Sequence, residues 1–172
     1  MTVISKRAIY AILSVLLPVL LLVTALLIAG HGHHPPTETD LLNREAALPA
    51  PLPASVLDWR TINSSVDRAH GTMALLTGND TAVQAATAAA EYPEGSELAL
   101  TTWLQRDDPH WFGAKIPGTF VSIETVTIAR AADGKPAAIY KQYTGNPLHE
   151  VTDTSTAARQ AAILSMRASQ LP

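Results

Sequence analysis

Three regimes of hydrophobic patterning divide the chain. From Ala8 to Gly30, AIYAILSVLLPVLLLVTALLIAG runs for 23 residues without a charge. A helix of that length, rising about 1.5 Å per residue, covers the roughly 30 Å hydrocarbon core of a bilayer, so the run predicts one N-terminal transmembrane helix over 8–30. A cleaved signal peptide is the competing reading, since Lys6 and Arg7 resemble its positive start. Its apolar region typically runs about 7–15 residues, however, and no small-residue cleavage site follows cleanly. Pro18 in mid-span kinks such a helix without ending it. Pattern is then lost. Residues 31–54, with HGHHPPTETD and ALPAPLPAS, are rich in proline, histidine and small residues and read as a linker, interrupted by one short helix at 41–47.

Alternation and helical spacing return in 55–172, which reads as one folded domain. GTMALLT (71–77) predicts a strand. Asn79 or Asp80 in the following turn can cap a helix over TAVQAATAAAEY (81–92), which stops before Pro93. SELALTTWLQ (96–105) predicts a second strand. TFVSIETVTIARA (119–131) predicts a long third one, with Phe120, Ser122, Glu124, Val126 and Ile128 on one face and Val121, Ile123, Thr125 and Thr127 on the other. DGKP (133–136) turns the chain into a partner strand at AAIYKQY (137–143). STAARQAAILSMRAS (155–169) predicts a closing helix whose Ala158, Ala161, Ala162, Ser165 and Met166 form one face, with Ser155 or Thr156 as its cap. The expected fold class is α+β, an antiparallel β-sheet domain with flanking helices.

Charge gives the span a direction. Lys6 and Arg7 precede it and no Lys or Arg follows until Arg44, so residues 1–7 are expected in the cytoplasm and the domain outside it, in the periplasm at a bacterial inner membrane. With Lys6 and Arg7 set aside, 10 basic residues face 15 acidic ones, which removes the electrostatic basis for nucleic-acid binding. The chain has no cysteine, so disulfides, thiolate metal sites, a cysteine nucleophile and covalent c-type haem are excluded.

Candidate chemistry is sparse. His31, His33 and His34 put three imidazoles within four residues and are metal-ligand candidates, although a Gly/Pro-rich linker holds them in no fixed polyhedron. RDDPHWFGAKIPG (106–118) gathers Asp107, Asp108, His110 and Lys115 as acid–base or anion-binding candidates. A plainer reading makes it a shaped loop. Asp107 or Asp108 caps a turn that Pro109 fixes, Gly113 and Gly118 give tight backbone, and Trp111 and Phe112 either pack beneath the loop or anchor a partner. His70 and His149 lie beside predicted elements, where either could complete a site with His110. No catalytic residue is assigned.

LDWRTINSSVDRAHGTMALLTGNDTAVQAATAAAEYPEGSELALTTW (57–103) resembles the cytochrome P460 family. The shared order is a W-R start, a strand ending in a G-N-D turn, an Ala-rich helix, then YPEGS leading into a strand with a Trp. The resemblance covers most of 57–145. It implies a periplasmic, mostly antiparallel β domain with a few helices, often dimeric. In the family that fold encloses a c-type haem, crosslinked through a lysine, that acts on hydroxylamine or nitric oxide. The family's C-x-x-C-H attachment sequence should fall near 155–168, where this chain has neither Cys nor His. The haem, the oxidase activity and a crosslink through Lys141 are therefore not carried over.

Two functions remain. One is a non-catalytic accessory or interaction subunit tethered to the membrane and docked on a respiratory dehydrogenase or oxidase complex, with Trp111 and Phe112 at the interface and a homodimer allowed. The other binds a small ligand, a metal or noncovalent haem in a pocket lined by Trp103, His110, Trp111 and Tyr140, with a residual redox or sensing role.

Overall fold

The computed structural model describes residues 42–53, 55–152 and 156–169. The expected span over 8–30 and the imidazoles of His31, His33 and His34 lie outside the described residues. Among the described residues, no helix is long and apolar enough to cross a membrane.

Alternating residues and tight turns generate six strands: β1 (Arg60–Asp67), β2 (Thr72–Gly78), β3 (Glu97–Asp107), β4 (Lys115–Arg130), β5 (Pro136–Thr144) and β6 (His149–Val151). They form one antiparallel sheet in chain order. Helix α1 (Asp80–Thr87) fills the β2–β3 connection, and α2 (Thr156–Ser165) follows β6. The domain is thus α+β. β1 and β6 add to the expected strands: along β1 only Ile62 is buried, so an edge strand reading RTINSSVD carries no hydrophobic alternation. Asn79, rather than Asp80, caps α1, accepting a hydrogen bond from the Ala82 N–H. The helix ends well before Pro93 because Ala89 takes a positive φ of 51°, which redirects the chain and sends Tyr92 into the core. At Gly78 a Cβ would come within 2.8 Å of Ile62 and 2.9 Å of Ala82, so only glycine lets α1 lie this close to β1 and β2.

Register assigns the two sheet faces. Leu98, Leu100 and Thr102 pair with Val126, Glu124 and Ser122 on one face, while Ala99 and Thr101 pair with Thr125 and Ile123 on the other. Between Thr102 and Trp103 the pairing slips, leaving Val121 unmatched and setting Phe120 opposite Trp103. This bulge moves Phe120 onto the face of Ile123, against the plain alternation that grouped it with Ser122 and Glu124. The first face carries the larger core, where Ala82, Val83, Ala85 and Ala86 of α1 and Ile163 of α2 meet Leu76, Leu98, Leu100, Val126 and Ile128. On the second face Val56, Ala99 and Ile123 gather Leu52, Trp59, Phe120 and Leu148.

Two expectations change here. The linker expected over 31–54 is packed from Asn43 on, where the main compact unit begins. A 3₁₀ turn at Arg44–Ala46 replaces the short helix, Pro49 is buried, and the Ala46 carbonyl accepts the Trp103 indole N–H at 3.0 Å. Proline and small residues stiffen a segment but do not keep it off a surface that offers partners. In α2 the buried residue is Ile163, with Leu164 and Met166 packed beside the core, whereas Ala158, Ala161 and Ala162 are exposed. Arg159 sets this rotation. Its ion pair to the sheet fixes the helix phase, and Ile163, one turn later, then points inward.

Candidate functional site

Helix α2 leaves a cavity of about 440 Å³ against the first sheet face. Its walls come from all five long strands and α2, including Ser65, Thr72, Thr102, Ser122, Glu124, Gln142, Arg159 and Met166. Glu124, in the middle of β4, is only 2% exposed. A carboxylate at that depth requires charge-compensating donors. Arg159 supplies two, its Nε donating to Oε1 at 2.8 Å and its Nη2 to Oε2, and the Tyr140 hydroxyl donates to Oε1 at 2.6 Å. Burial, reinforced by the bond to Glu124, pushes the Tyr140 phenol well above the ordinary phenol range. The same carboxylate raises the Arg159 guanidinium further. Both donors therefore stay protonated through neutral pH, and they orient Glu124 as a fixed acceptor.

A second polar pair sits on the cavity rim. The β1–β2 turn is closed by Asp67, whose Oδ1 accepts the Ala69 and His70 N–H groups at 2.9 and 3.1 Å. Its Oδ2 lies 2.7 Å from Nδ1 of His70, and this hydrogen bond holds the Asp67 carboxyl below its usual range. With Nδ1 engaged, Nε2 is the His70 nitrogen left for a ligand. His70 and Met166 both line the cavity.

The four residues expected to share a pocket, Trp103, His110, Trp111 and Tyr140, are not brought together. Tyr140 pairs with Val126 on the first face, whereas Trp103 lies on the second with its indole on Ala46. His110 and Trp111 belong to the loop joining β3 to β4. There Asp108 accepts the His110 N–H at 2.8 Å and the Asp108 N–H donates to the Ala114 carbonyl at 3.0 Å. Gly113 adopts φ +78°, and Asp107 pairs with Lys115 at 2.5 Å. The acid–base candidates of this loop thus serve its shape. Trp111 and Phe112 do not pack beneath it; they are 73% and 110% exposed, and the ion pair and backbone bonds close the loop in their place. Lys141 pairs with Thr125 on the face opposite the cavity and meets Glu150 at 3.0 Å. His149 is exposed on β6. Among the described residues, no group of three or more His, Asp or Glu is placed to hold a metal.

Sequence reasoning missed Glu124, Arg159 and Asp67 as a set. A lone acid in a Val/Ile/Thr strand and an Arg set among alanines in the closing helix are the available signal, since each must find a partner if buried.

A six-stranded antiparallel sheet with an open cavity of mixed polar and apolar lining beside its last helix defines a small α+β sheet domain. The cytochrome P460 family model matches residues 53–159, more than half of the chain, and the chain belongs to this family. No curated protein matches it. The residues present do not fit the covalently attached haem of the family: the chain has no cysteine for a thioether bond, and α2 is fastened to the sheet through Arg159 and Glu124.

Proposed function

We propose that this chain is a membrane-tethered P460 domain on the periplasmic side of a bacterial inner membrane, acting as a non-catalytic accessory or interaction subunit of a redox complex. One observation carries the reading. The C-terminal helix, on which a P460 protein would attach its haem, is used here to close the sheet by the Arg159–Glu124–Tyr140 cluster and by Ile163, which is 0% exposed. Fastening the helix to a buried carboxylate favours a fixed scaffold over an exchangeable reaction centre. The uncharged run over 8–30 supports tethering, and the exposed Trp111 and Phe112 support a contact surface.

The test is to express the full chain in a haem-competent periplasm and purify it from mildly solubilised membranes. A colourless, metal-free protein that brings down other polypeptides in fixed ratio is expected. A monomer or simple homodimer with no other polypeptide refutes the accessory role.

The Asp67–His70 pair favours a second reading, in which the cavity binds a metal or noncovalent haem through His70. A Soret band or stoichiometric metal that disappears in His70→Ala would establish it over the first.

A further inference from the structure

We infer that the cavity beside α2 binds an uncharged, polyhydroxylated small molecule of about monosaccharide size. Neither the tether nor a bound metal is required for this.

Strand register lays out the cavity floor as a grid. Ser65, Ala74, Thr102 and Ser122 follow one another across β1, β2, β3 and β4 on one rung. On the next rung Leu100, Glu124 and Gln142 cross β3, β4 and β5. All seven line the cavity. Directly paired residues of an antiparallel sheet stand about 5 Å apart and diagonal ones about 7–8 Å, so Thr102, Ser122 and Gln142 present their polar groups within the span of one sugar ring and its substituents.

These groups are unused by the fold. The hydroxyls of Ser65, Thr102 and Ser122 and the amide of Gln142 form no side-chain hydrogen bond with any described residue. Ser122 is only 4% exposed, and a hydroxyl at that depth normally has a partner. The charged groups around them, by contrast, are already compensated: Glu124 by Arg159 and Tyr140, and Asp67 by His70. An ionic ligand would have to break one of these pairs, which is costly where the carboxylate is buried. The polar groups left over each donate and accept, the same double character that a ligand hydroxyl has. Ala74, Leu100 and Met166 supply apolar contact for a carbon frame, and about 440 Å³ lies within the roughly 300–1,000 Å³ of small-molecule sites.

The test uses the full chain in a sugar-free detergent, with EDTA present so that bound metal contributes nothing. Saturation-transfer NMR compares glucose and myo-inositol with gluconate and glucosamine, the anionic and cationic counterparts of glucose. Transfer to glucose or myo-inositol is expected, several-fold stronger than to either charged probe. Ser122→Ala combined with Gln142→Leu should reduce it several-fold, whereas Ser64→Ala, exposed on the opposite face of β1, should not. Because the Ser122 hydroxyl holds no hydrogen bond, Ser122→Ala alone should melt at or above the temperature of the parent chain. No transfer to either neutral probe, stronger transfer to gluconate or glucosamine, or an unchanged signal in the double variant overturns the inference. A melting temperature lowered by several degrees in Ser122→Ala overturns it too, by showing that the hydroxyl already has a partner in the fold.

Discussion

A carboxylate that is 2% exposed persists in a sheet only while its donors stay in place, so Glu124 makes the cavity wall a sensitive point. Removing one partner of a buried pair costs about 3–5 kcal/mol. Because the Arg159 side chain is 45% exposed, water replaces part of what it supplies, and Arg159→Ala should fall at or below the lower end of that range in urea unfolding. Replacing Glu124 and Arg159 together by leucine should cost less than Arg159→Ala alone, since no charge is left stranded. Tyr140 gives a pH signature. Its folded pKa is raised above the ordinary 10.0, so its contribution is fully present below pH 10 and is lost as the unfolded chain begins to release phenol protons. Urea midpoints should therefore decline from pH 10 upward, and Tyr140→Phe should decline less steeply. An equal slope in the variant would show that other groups govern the alkaline limb.

Among elements, the start of α1 joins three segments through one side chain. Asn79 accepts from the Ala82 N–H at 3.0 Å, caps the helix, and donates to the Gly95 carbonyl at 2.8 Å. Asn79→Ala should cost about 1–2 kcal/mol, the range of a lost N-cap with one further hydrogen bond. Asn79→Asp should recover part of this, since it keeps the cap acceptor and loses only the donor to Gly95. Thermal unfolding of both variants checks the order. The central strands were legible because β3 and β5 alternate and their turns contain Gly or Pro. β1 was not, since an edge strand with one buried residue has nothing to alternate. The bulge at Val121 was hidden for a related reason: it exists only in the pairing of β4 with β3, and no local period encodes it.

For the molecule as a whole, the segment from Asn43 acts as part of the domain. It supplies the acceptor for Trp103, the bond to Pro117, and Leu52 against the second core. A chain starting at residue 55 should therefore be less stable than one starting at 43 by about 2 kcal/mol or more, given roughly 1 kcal/mol per hydrogen bond plus the buried apolar surface. Equal melting temperatures for the two would return the segment to the status of a tether.

Composition and local pattern alone determined several properties of this protein. The lack of cysteine removes thioether attachment of haem, alternation and turn residues define the middle of an antiparallel sheet, and the W-R to YPEGS order marks the cytochrome P460 family. Tertiary structure alone decided which candidates meet. It separates Trp103 from Tyr140 on opposite faces, sends Trp111 and Phe112 to solvent, and joins Glu124 to Arg159, 35 positions later. The physical reason is range: strand and turn preferences act over a few residues, whereas a buried charge finds its partner only after distant segments have packed.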